Sequence, residues 1–217
     1  MVIELGKDPW ILIGLTLAEL FLLLIPAIIA SRVENTSIKD ELEFMGIKKT
    51  EDSISKIFLK ITIGIILGFV FFFISGYIAI IFRNWIVEKI FGKRFVKEGQ
   101  QGSISTEPMK YSPIQIIIII ILQFMIVALC EEAFFRGFII KKMEKRVNTV
   151  SGILFSSMCF AIYHTPPFLV PITTIITYFG YFFTFGILLS IIFKFFKNSL
   201  ILCIIAHGLF NVLIIIF

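Results

Sequence analysis

The chain has 217 residues, 58% of them hydrophobic and only 16% charged, and its mean hydropathy is +0.99. Soluble domains are roughly 45–50% apolar and about 25% charged, so this composition excludes a water-soluble globule. The net charge of +5 comes from Lys and Arg in short segments between apolar runs. Such bases flank membrane spans and face anionic headgroups, which argues for a lipid bilayer and against a nucleic-acid partner.

Several runs reach or exceed the roughly 20 apolar residues that cross about 30 Å of hydrocarbon as a helix. The expectation is one transmembrane domain over residues 1–217, an all-α polytopic bundle. The run over 10–30 is longer than a signal-peptide core and reads as a retained first span, with Glu19 as its lone charge. Residues 31–56 then carry six acids (Glu34, Asp40, Glu41, Glu43, Glu51, Asp52) nearly balanced by bases, as in a surface loop or a short interfacial helix. A second span is expected over 57–82. The segment 84–99 mixes Trp85, Ile90, Phe91 and Phe95 with Lys89, Lys93, Arg94 and Lys97, the pattern of a basic amphipathic helix at the headgroups.

Residues 100–112 read as a polar loop before Pro113, a residue tolerated in the first turn of a helix, opens the third run. That run passes through Glu131 and Glu132 and ends near Lys141, Lys142, Lys145 and Arg146. A fourth run begins near Val150 and reaches His164, where Pro166, Pro167 and Pro171 break it. Apolar runs over 172–193 and 198–217 follow, with Gly180 and Gly186 as candidate breaks in the first, giving six spans or up to eight. Cys130, Cys159 and Cys203 are odd in number and lie in apolar runs, so they read as buried free thiols.

Ionisable residues inside spans cost roughly 2.5–3.5 kcal/mol each on insertion scales, so they mark function by default. Glu131 and Glu132 point about 100° apart on a helix and are expected not to share a partner. Glu132 and Arg136 stand one turn apart, a natural ion pair, which leaves Glu131 to face elsewhere. A glutamate shielded from bulk water can take a proton from a water molecule and return it to an amine leaving group, the requirement of peptide hydrolysis. His164, at a helix mouth before Pro166, can orient that water. His207 and Asn211, again one turn apart, are two donors that match a developing oxyanion, and Gly208 between them allows close approach.

Each feature alone has a structural reading: glutamates held only by Arg136, an interfacial histidine on a backbone carbonyl, a His and Asn bond between helices. The three occur together in a chain with no other histidine. Rival chemistries exist. Cys203, four residues before His207, would suit a Cys and His dyad. Glu131, His164 and His207 could hold zinc and a water, although the His-Glu-x-x-His spacing is absent, so no metal is the expectation. A proton-coupled transporter or an idle immunity protein would use the same residues without catalysis, but the paired halves of a transporter are not visible.

The three motifs in order, Glu131-Glu132-x-x-x-Arg136, Phe160-x-x-x-His164 and His207-x-x-x-Asn211, resemble the CAAX protease and bacteriocin-processing family, in particular its type II CAAX prenyl endopeptidase branch. The resemblance covers residues 114–217, the motif-bearing core. It implies about eight spans around a conical cavity and removal of the last three residues from prenylated CAAX proteins. It further implies that Glu131 and His164 activate water, that His207 and Asn211 form the oxyanion hole, and that Glu132 and Arg136 organise the site.

Overall fold

A computed structural model describes residues 9–103 and 112–217. These form helices α1 (Pro9–Thr16), α2 (Leu20–Glu34), α3 (Ile38–Met45), α4 (Ile54–Phe91), α5 (Lys93–Gln101), α6 (Pro113–Arg146), α7 (Thr149–His164), α8 (Ile172–Phe195) and α9 (Leu200–Ile216). The fold is an all-α membrane bundle, with no strand among the described residues. By length and composition α4, α6 and α8 can cross a membrane, while α7 and α9 are shorter apolar helices. At about 1.5 Å per residue the 16 residues of α7 span about 24 Å, short of a full hydrocarbon core.

The described residues contain six apolar helical segments, not eight: 9–34, α4, α6, α7, α8 and α9. α8 runs unbroken through Gly180 and Gly186. Both glycines serve close approach instead. A Cβ at Gly180 would run into the Phe82 ring of α4, and one at Gly186 would lie 2.9 Å from Cα and Cβ of Ser157 on α7.

Local sequence sets several helix ends. Ser112 and Gln115 close a capping box around Pro113 at the start of α6, and Asn148 caps α7 through a 2.8 Å bond from the Ser151 amide. Within the polar stretch after the first span, Ser37 and Asp40 cap α3 in the same reciprocal way. Lys60 reaches back 2.5 Å to Asp52, and this hydrogen bond holds the Asp52 carboxyl below its ordinary range.

The basic amphipathic segment is not a single helix. α4 continues through a π-turn (Ile81–Val87) to Phe91, Gly92 turns the chain at φ +87°, and α5 then packs back against α8. Val96 and Gly99 are its buried residues, and Thr174 of α8 donates a 2.7 Å hydrogen bond to the Gly99 carbonyl. The loop expected over 100–112 starts later than foreseen, since Gln100 and Gln101 are helical, and 104–111 lie outside the described residues.

α9 lies along α4 and α7 along α8. Gly64 and Gly68, a small-x-x-x-small pair in α4, let Ile205 and Leu209 of α9 seat directly on the helix backbone, a seam the sequence offers as Gly64-x-x-x-Gly68. α2 and α3 are fixed onto α6: Lys141 donates to the Phe44 carbonyl, Lys142 pairs with Glu34 of α2 at 2.6 Å and Glu41 of α3 at 3.1 Å, and the three lysines 141, 142 and 145 surround the Phe44 ring. The basic cluster after the third run is thus partly matched by the acidic stretch before the second. The apolar core joins α2, α6, α7, α8 and α9 around Ala27, Phe135, Phe160, Phe185, Leu189 and Cys203.

Candidate active site

α6 carries its two glutamates on a short α-helical stretch (Leu129–Glu132) between two π-turns, Gln123–Ala128 and Ala133–Ile140. π-turns are rare, widen the helix and concentrate at functional sites. Glu131, Glu132 and Arg136 are all buried. Arg136 donates through Nη1 to Glu132 Oε1 at 2.9 Å and through Nη2 to the Gly186 carbonyl at 3.3 Å, and its guanidinium lies 4.6 Å from the centre of the Phe160 ring. A fully desolvated pair of this kind holds α6, α7 and α8 in one register, because none of its members can be left unpaired in an apolar interior without large cost.

His207 enters this network from α9. Its Nδ1 lies 2.8 Å from Glu132 Oε1. A carboxylate paired to arginine accepts, so Nδ1–H donates to it and Nε2 is left for other work. His164, the last residue of α7, places Nδ1 2.9 Å from the Phe160 carbonyl, which can only accept, so its Nε2 is free as well. The His164 ring is clamped between Phe160 and Phe182, at centroid distances of 4.3 and 4.7 Å.

Both free nitrogens converge on one atom. Glu131 Oε2 lies 3.7 Å from His164 Nε2 and 3.9 Å from His207 Nε2, and it is buried with no hydrogen-bond partner in the protein. These separations are too long for direct hydrogen bonds and fit groups bridged by one small donor such as water. The two glutamates therefore do approach a common partner, His207, contrary to the expectation from their angular spacing. An imidazole offers two opposed nitrogens, and Glu132 meets one while Glu131 stands near the other. Among the described residues no group of three His, Cys, Asp or Glu side chains is arranged to hold a metal ion.

Asn211 lies one turn beyond His207 and donates to Gln123 Oε1 at 3.0 Å, leaving its second N–H uncommitted. Gln123, an amide ten residues into the third apolar run, is a site residue that sequence spacing alone does not single out. Gly208 lets α9 close on α6, since a Cβ there would meet the Phe124 ring 2.5 Å away. Cys203 takes no part: its thiol donates to the Leu189 carbonyl at 3.7 Å, on α8, and Cys159 is half-buried, not buried.

A cavity of about 490 Å³ opens between α4, α8 and α9. His164, His207, Asn211, Gln123 and Ser75 supply polar groups to its wall, and the rest is mostly apolar and aromatic, with Phe71, Tyr181, Phe182 and Phe185 prominent. Glu131 does not line this cavity; it stands behind the two imidazoles.

A helical membrane bundle with acids, imidazoles and amides gathered beside an apolar cavity defines an integral membrane protein equipped for polar chemistry inside the bilayer. Residues 113–213, just under half of the chain, match the family model described as type II CAAX prenyl endopeptidase Rce1-like. No curated protein and no solved structure matches the chain. The matched stretch contains every residue of the cluster above, while Glu19 and α1 to α5 lie before it.

Proposed function

We propose that the chain hydrolyses the peptide bond after a prenylated cysteine in a C-terminal Cys-aliphatic-aliphatic-X segment and releases the tripeptide. The observation that carries this reading is the convergence of two imidazole Nε2 atoms on Glu131 Oε2 beside an aromatic-walled cavity. Glu131 Oε2 and His164 Nε2 are two acceptors that suit a water donating one hydrogen to each. Glu131 removes a proton as the water oxygen bonds to the scissile carbonyl carbon.

The carbonyl oxygen becomes an oxyanion, which accepts from the free N–H of Asn211 and from His207 Nε2 when that ring carries both protons. Glu132 favours this arrangement by holding the opposite nitrogen. Collapse of the tetrahedral intermediate breaks the carbon–nitrogen bond, and the proton held by Glu131 passes to the leaving amine. The water oxygen ends in the new carboxylate of the prenylcysteine. No step requires a metal. The cavity volume falls within the range of roughly 300–1,000 Å³ typical of small-ligand pockets, and its aromatic wall suits an isoprenoid chain.

The test is tripeptide release from a farnesylated peptide and from its unprenylated twin, by purified protein, with and without prolonged chelation. The expected result is release from the lipidated peptide alone, unaffected by the chelator. Equal cleavage of both peptides would contradict the substrate class, and loss of activity restored by zinc would contradict the metal-free chemistry.

A further inference from the structure

Glu19 is the single charged residue in the apolar stretch over 10–30, and nothing in the mechanism above uses it. It lies in a 3₁₀ turn, Leu17–Glu19, that interrupts the helical run between α1 and α2. Tight turns of this kind within a helix mark strain or function. Glu19 Oε1 accepts a 2.6 Å hydrogen bond from the Tyr163 hydroxyl, while Glu19 Oε2 is buried without a hydrogen-bond partner. Tyr163 immediately precedes His164, and its ring lies 5.4 Å from the His164 ring and 5.7 Å from that of Phe135. Glu19 also stands within electrostatic reach of Glu131 and His207.

The geometry points to Glu19 as a positioning residue of the active site, holding the last turn of α7 through Tyr163 so that His164 Nε2 faces Glu131. The idea rests on the proposed hydrolysis and extends it to the part of the chain before the family match. α7 ends at His164, and Thr165 and the prolines beyond leave that turn without a following helical segment to hold it. A hydrogen bond from Tyr163 to a carboxylate on another helix fixes it from the side. A carboxylate is a stronger acceptor than a neutral group, which gives a physical reason for an acid in an otherwise apolar run.

Two variants separate this role from general packing. Tyr163→Phe removes only the hydroxyl, and Glu19→Ala removes its acceptor together with the rest of that side chain. Each is expected to lower kcat on a farnesylated peptide about ten- to a hundredfold, the scale of a small misplacement of a reacting group, with KM within about twofold. The double variant is expected to be no slower than the slower single one, because both lesions break the same bond. Diethyl pyrocarbonate labelling, mapped by mass spectrometry, supplies a readout independent of turnover: labelling of His164 should rise several-fold in either variant, with His207 unchanged. Multiplicative kinetic effects, a change in KM alone, or unaltered His164 labelling would overturn the assignment. If the wild-type protein cleaves no prenylated peptide, the proposed function fails while the labelling still decides the role of Glu19.

Discussion

Glu131→Gln is expected to lower turnover of a prenylated CAAX peptide by about 10²–10⁴-fold, the contribution typical of a positioned general base, without loss of fold stability. Glutamine keeps the shape of the side chain and removes its capacity to take a proton. Glu131 Oε2 has no hydrogen-bond partner in the protein, so the substitution breaks no bond at that atom. It also replaces an acid in an apolar interior by a neutral amide, which is the less costly group to bury. Single-turnover rates and thermal unfolding in the same detergent check both halves. A residual rate within tenfold of wild type would remove Glu131 from the chemistry.

The second large effect concerns Arg136. Arg136→Ala leaves Glu132 buried, with the imidazole of His207 as its remaining polar partner, and breaking a fully desolvated pair costs about 3–5 kcal/mol. A marked fall in the unfolding temperature is expected. The paired replacement Glu132→Leu with Arg136→Met removes both charges and is expected to recover most of that stability, since apolar groups of similar volume often replace a buried pair at no net cost. Turnover should stay low, by about a hundredfold on the scale of a misplaced catalytic group, because His207 has lost the acceptor that fixes its ring. Recovery of both stability and turnover would show that the pair does not orient His207.

The sequence made the large features legible because they rest on local chemistry. The end of α7 at His164 follows from the prolines beyond it, and the start of α6 follows from Ser112, Pro113 and Gln115. The pairing of Glu132 with Arg136 follows from helical spacing alone. Features that depend on a partner helix were not legible. Gly180 and Gly186 look like breaks until Phe82 and Ser157 are found packed against them, and Gly92, one residue among bases and aromatics, divides a segment that reads as one helix.

The same limit applies within the site. Regular α-helical angles separate Glu131 from Glu132, and nothing in the sequence announces the π-turns on either side or the two-sided use of His207. Gln123 beneath Asn211 and Tyr163 against Glu19 are contacts between residues 88 and 144 positions apart, visible only once the chain is folded. Single polar residues in apolar runs were the available signal in both cases.

In the proposed hydrolysis, water activated by Glu131 and His164 attacks the peptide directly. The most direct measurement is cleavage of a farnesylated CAAX peptide in ¹⁸O-labelled water with hydroxylamine present, followed by mass spectrometry of the prenylcysteine product. The expected product carries one labelled oxygen in the new carboxylate, with no hydroxamate at any hydroxylamine concentration. A hydroxamate product would reveal an acyl-enzyme on a protein nucleophile and contradict direct attack by water.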